Sequence, residues 1–422
     1  MSDSGGSALM NTYRRPPVTF TRGSGSELFD AAGNRFLDFL SGLAVTSLGH
    51  SHPLVAEAIA AQSHRLQHVS NLYGNELAPE VAQQIDSLIG AGAPGGGRVF
   101  FANSGAEANE CAIKLARRYA GPGRHVVMST WGSFHGRTLA TLHATGQREK
   151  HAPYMPLPEG FEHVAYGDVD EMARALDPAR VAAVLVEAIQ GEAGVIEPPE
   201  GYLVALRELC TARGILLMVD EVQTGLGRTG RWFAFEHAPV RPDVVTLAKA
   251  LGNGMPVGAC WAASEVAASF GPGDHATTFG GQPLALAAAR ATLEVMVAED
   301  VPRRAERAGR MLTAGLAGLP GVLEVRGKGL LLGVGLELEV AAAVEERSLE
   351  LGLVVNAPRN DTIRLAPSLL VSDQEIEEAL AILGRALGEI DERRGPGKST
   401  RSDGGGSTTQ AGSAQSGMEA SP

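Results

Sequence analysis

Short apolar runs alternating with helix-patterned segments constrain this chain more than any other feature. The runs are 99–102, 125–129, 181–187, 215–219, 244–248 and 257–263. Helical patterning falls at 53–68, 105–120, 200–213 and 283–298. Alternation of this kind predicts an α/β fold of βαβ units around a large, mostly parallel sheet. After about residue 300 the pattern changes. Helix 301–318 is followed by apolar runs at 322–326 and 330–338, helix 340–351, short runs at 353–355 and 362–365, and helix 373–391. That order predicts a smaller α+β domain. The expected organisation is a flexible N-terminus (1–12), a segment joining the small domain (13–48), a large ligand-binding domain (49–300), a small domain (301–392) and a tail (393–422). The tail is rich in Gly, Ser and Thr, so it cannot bury apolar surface and is expected to be a disordered extension.

Composition narrows the function. With 422 residues, 44% of them hydrophobic, the chain can bury cores for two or three domains. A net charge of −12 argues against a general nucleic-acid binder and against an anionic-membrane binder. Small anionic substrates stay open, because local arginines can bind them. Cys111, Cys210 and Cys260 are odd in number and each lies in an apolar stretch, which predicts buried, reduced thiols. No apolar run approaches the roughly 20 residues of a membrane span. The N-terminus is polar and Gly/Ser-rich without a signal-peptide core, so a cytoplasmic location is expected.

Two consecutive runs end in charge. One reads Leu217-Met218-Val219-Asp220 and the next Thr246-Leu247-Ala248-Lys249. Ligands of parallel α/β sheets sit beyond the carboxyl ends of the strands. A carboxylate and an amine placed there are what a pyridoxal 5'-phosphate (PLP) site needs: lysine to attach the cofactor, aspartate to pair with its pyridinium nitrogen. Taken singly, each is equally a solvated strand-end residue.

Four further segments bear on a site. Ser104 and Glu107 form an S-x-x-E capping box, and the free N–H groups of such a helix start can receive an anion. Ala108, Cys111, Ala112, Leu115, Ala116 and Tyr119 mark the buried face expected of that helix. Phe134-His135-Gly136-Arg137-Thr138 offers an aromatic ring, an imidazole and a guanidinium in one turn, and arginine suits bidentate carboxylate recognition. Glu192 follows a glycine in the turn after run 181–187. An ordinary capped helix, a core phenylalanine with a surface arginine, and a surface turn would explain these equally when taken alone. Gly225, Gly227 and Gly230 match G-x-G-x-x-G, but the segment after them has no helix-entry signal, so a dinucleotide site is not expected. His50 and His52 have no cysteine or carboxylate cluster beside them. They read as a turn before a helix opened by Pro53, and no metal is expected.

Together these residues resemble the class III, fold-type-I PLP-dependent aminotransferases, and among them most the acetylornithine aminotransferases. The signals are Asn103-Ser104-Gly105-Ala106-Glu107-Ala108, Phe134-His135-Gly136-Arg137-Thr138, Asp220-Glu221-Val222-Gln223-Thr224-Gly225, Thr246-Leu247-Ala248-Lys249-Ala250-Leu251-Gly252 and Thr277-Thr278-Phe279-Gly280-Gly281, in family order. The resemblance implies catalysis by Lys249, which would carry PLP and move the proton, and by Asp220, which would keep the ring nitrogen protonated. It implies a cofactor site of Gly105, Ala106, Phe134, Glu221, Val222 and Gln223. Phosphate would be held at Gly105 and Ala106, and by Thr278 from the neighbouring subunit of a homodimer. Arg137 would bind the carboxylate of an acylated substrate. Arg364 would bind the α-carboxylate of glutamate or 2-oxoglutarate, Glu192 would cover Arg364 between times, and Thr277 would lie near the substrate.

The implied reaction moves the ω-amino group of N2-acetyl-L-ornithine to 2-oxoglutarate, a step of arginine biosynthesis. Ornithine, 4-aminobutyrate, succinyl-diaminopimelate and carrier-linked lysine are the alternative donors. Three residues depart from the family pattern: Ala106 where relatives often have Thr or Ser, Ala188 for a usual proline, and Ala193 for a usual glycine. The loops 43–47 and 70–75 are expected to set the choice of donor.

Overall fold

The computed structural model describes residues 8–90 and 96–394. Residues 1–7 of the expected N-terminal extension, and the expected tail from residue 395 on, lie outside the described residues.

Three strands open the chain: β1 (Phe20–Ser24), β2 (Glu27–Asp30) and β3 (Arg35–Asp38). The next seven form the large sheet: β4 (Gly97–Ala102), β5 (Val126–Thr130), β6 (Phe161–Val164), β7 (Val181–Glu187), β8 (Leu216–Asp220), β9 (Val244–Leu247) and β10 (Gly258–Ala263). Their spatial order is β4-β10-β9-β8-β7-β5-β6. Only β10 runs against its neighbours, which makes the sheet mostly parallel. The central strands β5, β7, β8 and β9 are buried at every position, the expected state of strands covered on both faces. Their β-branched and leucine-rich sequences, such as Val181-Ala182-Ala183-Val184-Leu185-Val186, are continuous for that reason.

The later strands are β11 (Val322–Lys328), β12 (Leu331–Leu336), β13 (Leu353–Val354), β14 (Asn356–Arg359) and β15 (Thr362–Leu365). Four of them make an antiparallel sheet in the order β11-β12-β15-β14. β13 instead lies parallel to β3, so the start of the chain is stitched to its last third. Helices Val301–Ala317 and Asp373–Arg394 pack against each other, and the first also covers β11 and β12. Apolar side chains of the large sheet, such as Val245 and Leu247, share one continuous core with Leu330, Leu332, Ile363 and Leu365 of the small one.

The glycine-rich segment 225–230 serves this junction. It forms turns, followed only by the short 3₁₀ helix Ala234–His237. Arg228 is fully buried there: Nη1 donates to the carbonyls of Leu330 and Pro367, and Nη2 to the Ser47 hydroxyl. Burial brings its pKa down to about 9. Two of these glycines lie against the helix that begins at Val301: a Cβ on Gly227 would meet Val301 and one on Gly230 would meet Glu306.

Candidate active site

The carboxyl ends of β7, β8 and β9 stand side by side. Glu187 is in register with Asp220, and Asp220 with Thr246. A cleft of about 450 Å³ opens beyond them. Its walls include Asn103, Gly105, Ala106, Phe134, Arg137, Glu192, Asp220, Val222, Gln223 and Lys249.

Asp220 is almost fully buried yet well supplied with donors. Oδ2 accepts from Asn109 Nδ2 at 2.8 Å and from His135 Nδ1 at 2.8 Å, and Oδ1 accepts the Val222 N–H at 3.0 Å. Three donors compensate a buried carboxylate. They leave Oδ1 the less engaged oxygen, in the wall of the cleft.

Lys249 lies past the strand end, not within it. β9 stops at Leu247, and Lys249 opens a short 3₁₀ turn with φ of 41°. A non-glycine residue in the left-handed region is strained, and such residues gather at functional sites. Burial lowers its pKa, with the Arg364 charge acting in the same sense and Glu192, Asp220 and Glu187 opposing. Its ammonium has no hydrogen-bond partner among the described residues.

The helix Gly105–Ala120 begins as its sequence predicts. Ser104 Oγ accepts the Glu107 N–H at 3.2 Å. The Glu107 carboxylate reaches back one residue further than a standard capping box, to the Asn103 N–H at 2.6 Å. Gly105 and Ala106 N–H have no acceptor among the described residues, so two donors at a helix N-terminus face the cleft. Close packing fixes this helix start. A Cβ on Gly105 would lie 2.8 Å from Val222 Cγ1, and one on Gly258 would run into the Ser104 carbonyl.

The buried face of this helix differs from expectation at three places. Tyr119 is exposed, while Asn109 and Ile113 are buried. The first turns sit over β7, β8, β9 and β10, which cover more than one stripe of the helix. Tyr119 lies in the last turn beside Arg117 and Arg118, at the rim of the domain.

Arg364, on β15, is buried and ion-paired with Glu192 at 2.9 Å. Its Nη1 also faces the Gly191 carbonyl at 3.1 Å and Gln223 Oε1 at 3.3 Å, and Nη2 donates to Asn356 at 2.8 Å. Burial would raise the Glu192 pKa, but Arg364, with Lys249 and Lys150, brings it below the usual value. Glu192 thus stands between the cleft and a buried guanidinium. Arg137 is exposed on the wall, its Cζ 5.6 Å from the centre of the Phe134 ring.

Three residues lie elsewhere. The Glu221 side chain points away from the cleft, accepting from Thr224 Oγ1 at 2.5 Å and the Phe235 N–H at 3.0 Å. Its burial is complete and lifts its pKa to about 7. Glu221 lies one residue past the end of β8 and is not part of the cleft wall. Thr277 Oγ1 accepts from Asn103 Nδ2 at 3.4 Å and Gly280 N–H at 3.1 Å, outside the wall, and Thr278 is exposed.

Sequence reading missed other members of the site. Asn109 ties four segments together: Nδ2 donates to Asp220 and to the His135 carbonyl at 2.8 Å, and Oδ1 accepts from Thr246 Oγ1 at 2.8 Å. Its signal was a polar residue inside an apolar helix face. Glu187 accepts from the Phe134 N–H at 3.0 Å and the Gly191 N–H at 3.3 Å, and burial lifts its pKa to about 7. Val45 was not missed: it belongs to the loop 43–47 expected to bear on the donor, and it reaches the wall after a left-handed turn, with φ of 50° to 69° from Ser41 to Ala44. Asp38 secures that turn, accepting from Leu40 and Ser41 N–H and pairing with His50 at 2.7 Å.

The site can therefore present two N–H donors, a charged carboxylate, a partly desolvated amine and two arginines around one cleft. A sequence model of the family Aminotransferase class-III matches residues 9–387. An acetylornithine aminotransferase of Corynebacterium efficiens is 48% identical over 388 residues, covering 90% of this chain and 95% of that protein. One from Methanopyrus kandleri is 49% identical over 381 residues, covering 90% and 96%. Among solved structures, the ornithine aminotransferase of Toxoplasma gondii superposes with a TM-score of 0.87 at 34% identity, over 92% of this chain and 94% of that one. The acetylornithine aminotransferase of Elizabethkingia anophelis gives 0.79 at 32% identity, over 90% and 96%. A strained, desolvated lysine beside a buried aspartate thus sits in a chain that belongs to the class III aminotransferases.

Proposed function

We propose that this aminotransferase moves the ω-amino group of N2-acetyl-L-ornithine to 2-oxoglutarate, yielding N-acetylglutamate 5-semialdehyde and glutamate. The observation that carries the reading is the Arg364–Glu192 pair standing behind the cleft while Arg137 stands free on its wall. An acylated ω-amino donor has one carboxylate, remote from its reacting amine, which suits Arg137. The dicarboxylate acceptor has a second one, which requires Arg364 to be released from Glu192. A clamp that opens for one substrate and closes for the other lets both use one site in turn, with ping-pong kinetics.

The residues also fit PLP. The free N–H groups of Gly105 and Ala106 suit its phosphate, Asp220 Oδ1 its ring nitrogen, Phe134 the ring face and Lys249 the aldehyde. When bound, PLP supplies an electron sink that stabilises negative charge at the reacting carbon. Lys249 Nζ, lowered in pKa by burial, is able to take up and return the proton. Asn109 and His135 hold Asp220 toward the ring nitrogen. Arg137 orients the substrate by its distal carboxylate. Glu221 stays out of the cofactor site in this reading and stabilises the 221–235 turn instead.

Thr278, exposed on the single chain, is the residue offered to a second copy, so the proposed enzyme is a homodimer with shared sites. No helix among the described residues is long and apolar enough to cross a membrane, and the proposed location is the cytoplasm. The test is a coupled assay of purified, PLP-loaded protein with acetylornithine, ornithine, 4-aminobutyrate, succinyl-diaminopimelate and carrier-linked lysine. Highest kcat/KM on acetylornithine is expected. A clear preference for any other donor rejects the assignment while leaving the aminotransferase intact.

A further inference from the structure

The ring of Phe134 carries two cations. Arg137 Cζ lies 5.6 Å from its centre and Lys150 Nζ 5.4 Å. Lys150 belongs to the short helical turn Arg148–His151. Its position is set by Gln147, whose Nε2 donates to the Ser133 carbonyl at 3.1 Å and whose Oε1 accepts from Lys150 Nζ. The ammonium is thereby tied to the residue just before Phe134.

Lys150 also feels the cleft electrostatically. Burial lowers its pKa and the Arg137 charge adds to that effect, with Glu149 and Glu192 opposing. Glu192 in turn is held ionised partly by Lys150. Phe134, Arg137 and Glu192 all line the cleft; Lys150 is not in its wall but stands next to it, against the Phe134 ring. Neither Lys150 nor Arg137 has an ion-pair partner among the described residues, although acidic residues outnumber basic ones in this chain. Two like charges held against one ring, with no carboxylate in ion-pair contact among the described residues, mark a place for an anion.

We propose that Lys150 is the second cation of the carboxylate subsite headed by Arg137, and that it favours substrates whose carboxylate is remote from the reacting amine or carbonyl. The inference rests on the functional reading above. It assigns Lys150 to substrate specificity, leaving the chemistry to Lys249. Both acetylornithine and 2-oxoglutarate present such a group, so both half-reactions use it. A lysine suits this place as a point charge on a flexible stem, swinging from Gln147 onto a carboxylate oxygen that Arg137 leaves free.

The test compares Lys150→Met, which keeps the apolar stem, with Lys150→Arg, which restores the charge. The measurements are KM for acetylornithine and 2-oxoglutarate, the inhibition constant of glutarate (a dicarboxylate with no reactive carbonyl), kcat, and the PLP dissociation constant. For Lys150→Met both KM values and the glutarate constant rise roughly fivefold, as for a partly exposed ion pair. The kcat and PLP affinity hold, and Lys150→Arg recovers most of the loss. Unchanged KM values and glutarate constant overturn the proposal, as does an equal loss of PLP affinity and kcat in both variants. Failure of the functional reading shows separately, in the wild-type donor profile.

Discussion

Asn109 links the helix that begins at Gly105 to the buried Asp220, so Asn109→Ala is the most informative perturbation of the scaffold. The substitution removes one hydrogen bond to a buried carboxylate, worth about 1.5–3 kcal/mol, and two neutral ones, worth about 0.5–1.5 kcal/mol each. The total is about 2.5–6 kcal/mol, since the carbonyl of His135 and the hydroxyl of Thr246 also lose their partner at buried positions. At about 2.1 cal/mol/K per residue of unfolding entropy, this corresponds to a fall in Tm of roughly 3–7 °C for the folded part of the chain. Thr246→Val breaks only the outermost bond and leaves Asp220 untouched, so its expected loss is about 1 kcal/mol. Differential scanning calorimetry of both variants, with a titration of PLP into the apo protein, separates the two. Asn109→Ala is expected to weaken PLP as well as to melt earlier, and Thr246→Val to do little of either. If Asn109→Ala melts within 1 °C of the wild type and binds PLP equally well, the argument that Asn109 positions Asp220 is wrong.

Two further outcomes follow from geometry and charge. Gly258→Ala drives a methyl group into the Ser104 carbonyl, which must shift the helix start. PLP affinity is expected to fall at least about tenfold, measured by fluorescence titration, with a smaller effect on Tm. Glu221 is a buried acid with its pKa raised to about 7, so the folded state binds its proton more tightly than the unfolded state does. Its contribution is full below about pH 4.5 and is lost as pH rises through about 7. Glu221→Gln, which can still accept the Phe235 N–H, is therefore expected to gain on the wild type in Tm between pH 5 and pH 8. A difference independent of pH in thermal melts contradicts this.

Much of the fold was legible because the buried parallel strands are short, apolar and punctuated. Runs 181–187, 215–219 and 244–248 match β7, β8 and β9 to within a residue or so at either end. What escaped were elements whose burial depends on distant partners. β6 interrupts its apolar residues with Glu162 and His163 at the sheet edge, and β14 carries partly exposed Asn356 and Arg359. Helix Leu77–Gly90 has a regular stripe of Leu77, Val81, Ile85 and Ile89 that was available to the same reasoning. Strand order was not readable, since nothing in a strand's own sequence names its neighbour. β10 is inserted between β4 and β9 from late in the chain.

The site shows the same division. Asp220 and Lys249 stood out as charges closing apolar runs, and Arg364 was named through the family resemblance. Residues that act by holding others did not. Asn109 looks like a lapse in an amphipathic face until its three partners are known, and Glu187 like the last residue of a strand. Glu221, expected at the cofactor site through the resemblance, turns its carboxylate instead to Thr224 and the Phe235 N–H, partners that its place beside Asp220 does not announce.

The account turns on Lys249 as the residue that carries the proton for transfer of an ω-amino group. Absorbance of the PLP-loaded protein tests this directly, by adding acetylornithine and then 2-oxoglutarate to the wild type and to Lys249→Ala. The wild type is expected to lose its yellow colour with the donor and regain it with the acceptor, and Lys249→Ala to bind PLP yet complete neither step. Undiminished turnover by Lys249→Ala would contradict the account.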